Sequence, residues 1–301
     1  GLFNGKLLSL GGSHQINSFN NDSFYGDLSA ILIQNLPFWI QLFRTPEISI
    51  ALMDEWESKI MRMAEATLRE DVTNISGVPS WTLVLLHKIL DLTGKKDITE
   101  VWPNLELFIH GGVSFSPYQN QFSQLIPGPM NYLETYNASE GFFGIQDRND
   151  ADDMLLMLDY GIFYEFLPLN IHGQHESVAI PLQQVKTGVN YAMIISTNAG
   201  LWRYQIGDTI AFTSTEPYRI RITGRTKNFI NAFGEELIVD NALKALESAC
   251  EKTGAMINEF TAAPVYFSDN ASGAHEWLIE FEKEPADLAY FSEMLDNALK
   301  A

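Results

Sequence analysis

The sequence predicts an α/β protein with a small α+β appendage at its C-terminal end. Three observations predict it. Up to Gly141, short apolar runs ending in glycine pairs or polar loops alternate with amphipathic helical stretches. After Met154 the apolar period becomes two, as in antiparallel sheet, and beyond Lys227 a separate pattern of hairpin, helix, strands and helix begins. A length of 301 residues fits two domains, or one large domain with an addition, and excludes a single small core.

Taken in order, Lys6 to Leu10 is an apolar run closing on Gly11-Gly12, the mark of a strand and a tight turn. Leu28 to Phe43 is the most apolar stretch. Gln34, Asn35, Pro37 and Gln41 interrupt it, so it reads as two packed helical pieces, too short and too polar to cross a bilayer. Met53 to Arg69 and Thr82 to Leu92 read as amphipathic helices, with Thr73-Asn74-Ile75-Ser76-Gly77-Val78-Pro79 between them. Leu105 to His110 is a strand ending in Gly111-Gly112, and Met130 to Tyr136 another ending in Asn137-Ala138-Ser139-Glu140-Gly141.

The period-two portion gives strands at Leu155 to Tyr160, Ile162 to Leu167, Asn190 to Ser196, Leu201 to Ile206 and Arg219 to Thr223. Gly224-Arg225-Thr226-Lys227 is a charged, glycine-led break. The expected organisation is a large domain over 1–224, a hinge at 225–228 and a small, incomplete two-layer α+β domain over 229–301. The small domain reads as a hairpin from Phe229 to Ile238, helices at Asp240 to Thr253 and Ala286 to Leu299, and strands at Ala262 to Phe267 and Trp277 to Phe281.

Composition narrows the function. With 46% hydrophobic, 12% aromatic and 19% charged residues the chain is globular rather than disordered. Asp and Glu number 38 against 19 Lys and Arg, and the resulting net charge of −19 opposes partnership with nucleic acid or an anionic membrane. A single cysteine, Cys250, and no zinc-ligand spacing point to a reducing compartment, the cytoplasm. The start at Gly1, without an initiator Met or a signal-like segment, reads as a chain cut from something longer. The six histidines are scattered. His110, just before Gly111, is the one placed to face a pocket, although a satisfied strand-end histidine fits the position too. The acidic run Asp147 to Asp153 reads as a solvated loop.

Four segments suit the parts of a nucleotide. The glycine pair in Gly111-Gly112-Val113-Ser114-Phe115 lets backbone approach a flat ligand, and the ring of Tyr136 can stack on a base, so Gly112, Val113, Ser114, Phe115 and Tyr136 are candidate adenine contacts. Ser139 offers a hydroxyl to a phosphate or carboxylate oxygen, and Glu140 an oxygen ligand for magnesium. Asp208, read as ending a strand in a Gly-Asp turn, suits a ribose diol, and Arg225 the same sugar or a phosphate. Each has a plainer reading: a turn, a helix cap at Ser139-Glu140, a surface ion pair. Val78, Trp81 and Phe142 either wall an apolar acyl pocket or pack in the core.

In this order, these segments resemble the later core motifs of the adenylate-forming superfamily. The wording is closest to the auxin-responsive promoter (Gretchen Hagen) family of acyl-acid amido synthetases, in its bacterial branch. Further phrases carry the likeness across the chain: Gly26-Asp27-Leu28-Ser29-Ala30, Ser76-Gly77-Val78-Pro79-Ser80-Trp81, Val101-Trp102-Pro103-Asn104 and Asn231-Ala232-Phe233-Gly234-Glu235-Glu236. The resemblance implies a ligase that uses ATP and Mg2+ to join a carboxylic acid to an amine, an amino acid. It places Tyr136 at adenine, Ser139 near the activated carboxylate, Glu140 on magnesium, Asp208 and Arg225 on ribose, and Lys227 at the hinge. Lys227 stands where many relatives carry aspartate, and Ser139 where many carry threonine.

The family's Ser/Thr/Gly-rich phosphate loop has no counterpart: Leu10-Gly11-Gly12-Ser13-His14 lacks the hydroxyls and the lysine. The expectation is therefore a central fragment of a longer enzyme, inactive by itself. Transfer to coenzyme A, and a catalytically silent nucleotide-binding protein, are the alternatives. The identity of acid and amine and the oligomeric state are not encoded in any pattern found.

Overall fold

A computed structural model describes residues 4–11, 16–20, 23–26, 28–53, 55–112, 114–149, 151–169, 178–226, 229–232, 235–265 and 274–299. The chain divides into two compact units, Gly1–Glu134 and Thr135–Ala301.

The first unit holds β1 (Lys6–Leu10), β2 (Ile16–Asn20), β3 (Ser23–Gly26), α1 (Leu28–Gln34), β4 (Arg44–Thr45), α2 (Ile48–Ala51), α3 (Trp56–Thr67), β5 (Val72–Gly77), α4 (Pro79–Thr93), β6 (Leu107–His110), α5 (Gln119–Leu125) and the start of β7 (Asn131–Ala138). Strands pair in parallel in the order β4-β1-β5-β6-β7. α4 starts on Pro79, whose missing N–H costs nothing at a helix start, and ends on Gly94 at φ +63, whose N–H caps Leu90 O at 2.8 Å. Leu8, Ile75, Leu86, Phe108 and Phe122 form the core with Trp102, whose indole Nε1 donates to Thr67 O at 3.1 Å. Buried Lys59 reaches from α3 to Gly11 O at 2.9 Å.

The run Thr73 to Gly77, to which the sequence assigned no element, belongs to the central strand β5. Its polar residues disguise it. Buried Asn74 donates from Nδ2 to Thr73 Oγ1 at 2.9 Å, which lets these side chains enter the sheet.

The second unit continues β7 and adds β8 (Gly141–Ile145), β9 (Met154–Leu156), β10 (Ile162–Pro168), β11 (Ile180–Pro181), β12 (Asn190–Thr197), β13 (Tyr204–Thr215) and β14 (Tyr218–Arg225). They pair antiparallel in the order β11-β10-β12-β13-β14-β9-β8-β7. The aromatic rings of Tyr136, Phe143, Tyr164, Phe166, Tyr191 and Phe212 fill one face. Then come the hairpin of β15 (Phe229–Ala232) and β16 (Glu235–Ile238), α6 (Val239–Thr253), the antiparallel pair β17 (Met256–Val265) and β18 (Ala274–Lys283), and α7 (Leu288–Leu299). Leu246, Ala249, Ile257, Phe291 and Leu295 close this last, two-layer part.

Several expectations are corrected. The strand expected from Leu155 to Tyr160 is the short β9, because the chain turns through Leu158–Gly161, with Gly161 at φ +73. β17 starts six residues before the expected Ala262, because Gly254 at φ +67 closes α6 and the chain turns at once into Met256. Asp147 to Asp153 is not merely a solvated loop. Arg219 Nη1 donates to Asp153 Oδ1 at 3.0 Å and its Nη2 to Asp147 Oδ2 at 2.9 Å, and Thr213 Oγ1 donates to Asp153 Oδ2 at 2.7 Å. This ion group ties the β8–β9 connection to β13 and β14.

Candidate functional site

Asp208 was expected in a turn at a strand end. It lies instead inside β13, within a bulge: Ala192 of β12 pairs with Thr209 but Ile194 pairs with Gln205, so β13 carries extra residues around Gly207 and Asp208. Gly207 sits at φ +91, which a residue with a Cβ adopts only under strain. Bulges re-aim side chains, and here the bulge turns the Asp208 carboxylate toward two donors.

The first donor is Tyr136, 72 residues earlier on β7, whose phenol donates to Asp208 Oδ2 at 2.6 Å. The second is Arg225, the last residue of β14 rather than part of a break, whose Nε donates to Oδ1 at 2.8 Å. Asp208 and Arg225 are direct partners across the β13–β14 ladder. Asp208 is 6% exposed and Tyr136 5%, so the bonds are shielded from water, whereas the Arg225 side chain stays 61% exposed. Burial, and then the charge of Asp208, hold the Tyr136 phenol well above its ordinary pKa, so it is a proton donor at neutral pH. Its ring packs on Phe143, centroids 4.9 Å apart. The expected open stacking face is thus covered in this conformation.

Ser139 and Glu140 form the two-residue turn between β7 and β8, where Ala138 pairs with Gly141. The helix-cap reading is excluded, because a strand follows. The charge of Glu140 adds to that of Asp208 in holding the Tyr136 phenol above its ordinary pKa. Phe142 packs beside Tyr160 at 5.9 Å.

Five other candidates, Val78, Trp81, Gly112, Ser114 and Phe115, lie in the first unit. Val78 precedes α4, and its Cγ2 is 3.5 Å from where a Cβ on Gly112 would stand; Gly112 has φ +86. Trp81 lies on the first turn of α4, edge-on to Trp56 at 5.6 Å and partly buried against the core. Phe115 stacks on the His110 imidazole at 4.3 Å and packs at a tilt against Tyr132 at 4.9 Å, so it is an aromatic-cluster residue as well as a loop residue. Ser114 is partly buried beside it. Val113 and Lys227 lie outside the described residues.

Sequence reasoning missed Glu134. It is the direct partner of His110 across β6 and β7, and burial pushes its carboxyl up to about 7 while pushing His110 down to about 4. The available signal was a lone carboxylate in the apolar run Met130 to Tyr136. Among the described residues no group of three or more His, Cys, Asp or Glu side chains is arranged to hold a metal ion. A magnesium ion carried by nucleotide phosphates needs only one or two protein carboxylates, and the Glu140 turn has one.

Three family models match the chain: the GH3 family N-terminal domain over residues 2–130, the central domain over 155–225 and the C-terminal domain over 240–301. The chain is 23% identical over 327 aligned positions to the 4-substituted benzoates-glutamate ligase GH3.12 of Arabidopsis thaliana, covering 93% of this chain and 55% of that protein. It is 26% identical over 174 positions to the indole-3-acetic acid-amido synthetase GH3.3 of the same plant, covering 55% and 27%. Among solved structures, GH3.15 acyl acid amido synthetase superposes at TM-score 0.77 with 16% identity, over 100% of this chain and 64% of that one. The anthranilate CoA ligase AuaEII, solved with anthranoyl-AMP, superposes at 0.59 with 9% identity, over 99% and 53%. The chain thus spans about a quarter to two thirds of the length of these proteins. Its fold is that of the adenylate-forming enzymes, a mixed α/β arrangement with a small C-terminal α+β part, and the chain belongs to the GH3 family.

Proposed function

We propose that the protein is an ATP-dependent ligase that activates a carboxylic acid as its acyl-adenylate and passes the acyl group to the amine of an amino acid. The observation that carries this is the shielded Tyr136–Asp208–Arg225 group, with bonds of 2.6 and 2.8 Å on a bulged strand. Each Asp208 oxygen accepts one hydrogen bond there and has a second lone pair left for a ribose hydroxyl. The exposed end of Arg225 adds a cation for the sugar or a phosphate. Family membership supports the reading, since relatives carry the names of amido synthetases and of a benzoate-glutamate ligase.

In the first half-reaction the substrate carboxylate oxygen attacks the α-phosphorus of ATP and the bond to pyrophosphate breaks. The transition state gathers negative charge that prepositioned cations stabilise. We assign Gly112, Val113, Ser114, Phe115 and Tyr136 to adenine, Ser139 to the carboxylate and α-phosphate, and Val78, Trp81 and Phe142 to the acyl group. We assign Lys227 to a hinge at 225–228 between a large domain over 1–224 and a small one over 229–301. Glu140 would hold Mg2+, which supplies charge neutralisation on the phosphates. The wording of the motifs favours the bacterial branch, and the single cysteine the cytoplasm; among the described residues no helix is long and apolar enough to cross a membrane.

The test is acid-dependent exchange of labelled pyrophosphate into ATP by the protein expressed from its full reading frame. Exchange with at least one acid of a broad aryl and alkyl panel, followed by amide on adding amino acids, is the expected result. Thioester with coenzyme A and no amide would replace the acceptor, and no exchange at all would end the reading.

A further inference from the structure

At the carboxyl ends of the parallel strands, Leu10, Gly77, His110 and Glu134 stand in one row, each the direct partner of the next across β1, β5, β6 and β7. Carboxyl ends of parallel strands are where α/β proteins assemble ligand sites. The row is unusual in chemistry. Gly77 offers no side chain, and the space over it is filled by Thr82 and Leu10, whose Oγ1 and carbonyl oxygen stand 3.0 and 3.2 Å from where a Cβ would be; His110 and Glu134 are the ionisable members of the row. In a parallel ladder, direct partners project to the same face. Phe108 and Tyr132, two residues earlier on the same strands, are partners on that face and meet edge-on at 6.4 Å. Phe122 of α5 stacks on Phe108 at 4.8 Å and Phe115 closes over the imidazole at 4.3 Å. A carboxyl and an imidazole therefore end an aromatic wall, next to the Val78–Gly112 contact and the first turn of α4 with Trp81.

We infer that Glu134 is the proton acceptor of the amide-forming half-reaction, with His110 as the residue that positions it. The inference rests on the ligase reading and adds to it the group that handles the amine's proton. As the amine nitrogen attacks, its lone pair forms the N–C bond. The C–O bond to the α-phosphate breaks with its electron pair leaving on AMP, and the N–H proton passes to the Glu134 carboxylate and on to water. A base works best when its pKa lies near the working pH, and an ordinary glutamate is too weak. Burial against the aromatic wall raises Glu134 to about 7. His110, 3% exposed and lowered to about 4 by the same burial, stays neutral beside it, so it neither neutralises the carboxylate nor competes for the proton.

Other ionisable groups do not replace this pair. On its own strand Tyr132 is raised to about 12 by burial and Tyr136 is raised by burial and by Asp208, so both remain protonated, and Asp208 is held by Tyr136 and Arg225. β8, α5 and the described part of the loop after His110 carry no ionisable acid or base apart from Tyr118 at the start of α5. On α4 the titratable groups His87, Lys88 and Asp91 lie eight or more residues beyond Pro79, about 12 Å or more along the axis at 1.5 Å per residue.

The experiment compares wild type with Glu134→Gln, Glu134→Asp and His110→Gln in three assays: acid-dependent pyrophosphate exchange, amide formation with an amino acid, and hydroxamate formation with hydroxylamine. Hydroxylamine is neutral near pH 7 and strongly nucleophilic, so it has less need of a protein base. For Glu134→Gln the expected result is exchange and hydroxamate within about threefold of wild type, amide formation down about a hundredfold or more, and partial recovery in Glu134→Asp. Wild-type amide formation should rise with pH to a break near 7, absent in Glu134→Gln and displaced in His110→Gln. An unchanged amide rate and pH profile in Glu134→Gln would overturn the inference, as would equal losses with amino acid and hydroxylamine. If wild type itself supports no exchange with any acid, the ligase reading fails instead.

Discussion

Replacing Tyr136 with phenylalanine tests the group on which the proposed nucleotide site depends. The substitution removes one oxygen and keeps the ring on Phe143, so no sizeable cavity opens and packing changes little. What is lost is a 2.6 Å hydrogen bond to a carboxylate that is 6% exposed. Hydrogen bonds to charged groups contribute about 1.5–3 kcal/mol, and Oδ2 of Asp208 is left without its donor while Oδ1 keeps Arg225. The expected loss is therefore about 2 kcal/mol, or a Tm lowered by about 4–8 °C in a unit of this size. Urea unfolding followed by far-UV circular dichroism measures it, with m-values compared so that a changed unfolded state is recognised. A double-mutant cycle with Asp208→Asn should return a coupling energy of at least about 1 kcal/mol. A loss under about 0.5 kcal/mol, or strict additivity in the cycle, would refute the claim that this bond organises the bulge.

Further consequences are equally measurable. Arg219→Met leaves Asp153 buried without its main cation and should cost about 3–5 kcal/mol by urea denaturation. Burial by itself would raise Asp153, but hydrogen bonds from Thr213 and Arg219 outweigh it and hold the carboxyl below its ordinary value. A lowered folded-state value stabilises above the unfolded value near 4 and loses that contribution as pH falls further; acid titration of Asp153→Asn should therefore show a shallower drop below pH 4 than wild type. Gly112→Ala meets only ordinary contact with Val78, so its cost, about 1–2 kcal/mol, comes from φ +86 and should appear as a lowered denaturation midpoint. Cys250 is 7% exposed and its thiol is pushed up to about 11 by burial, so a thiol-reactive maleimide at pH 7.5 should label it only as fast as the chain opens.

Local pattern by itself determined a good deal of this protein. The strand Lys6 to Leu10, the helices around Met53 to Arg69 and Thr82 to Leu92, the strands before Gly111 and Asn137, and the closing helices are all where periodicity and glycine punctuation put them. The ordered motifs around Tyr136, Asp208 and Arg225 likewise carried the family. These features depend on neighbours a few residues apart, which a single stretch of sequence contains.

Only the tertiary structure decided what those residues do to one another. Asp208 reads as a turn residue because Gly207 precedes it, yet pairing with β12 on one side and β14 on the other carries the strand through and expels the excess residues as a bulge. The Tyr136–Asp208 bond spans 72 positions and Arg219–Asp153 spans 66. Polar β5 becomes a central strand because β1 and β6 flank it. Glu134 and His110 are neighbours only through the register of β6 against β7, and their shifted proton affinities follow from that shared burial. Side-chain periodicity specifies which face a residue takes, whereas register and desolvation are properties of the assembled sheet, and chemistry at a site depends on the latter.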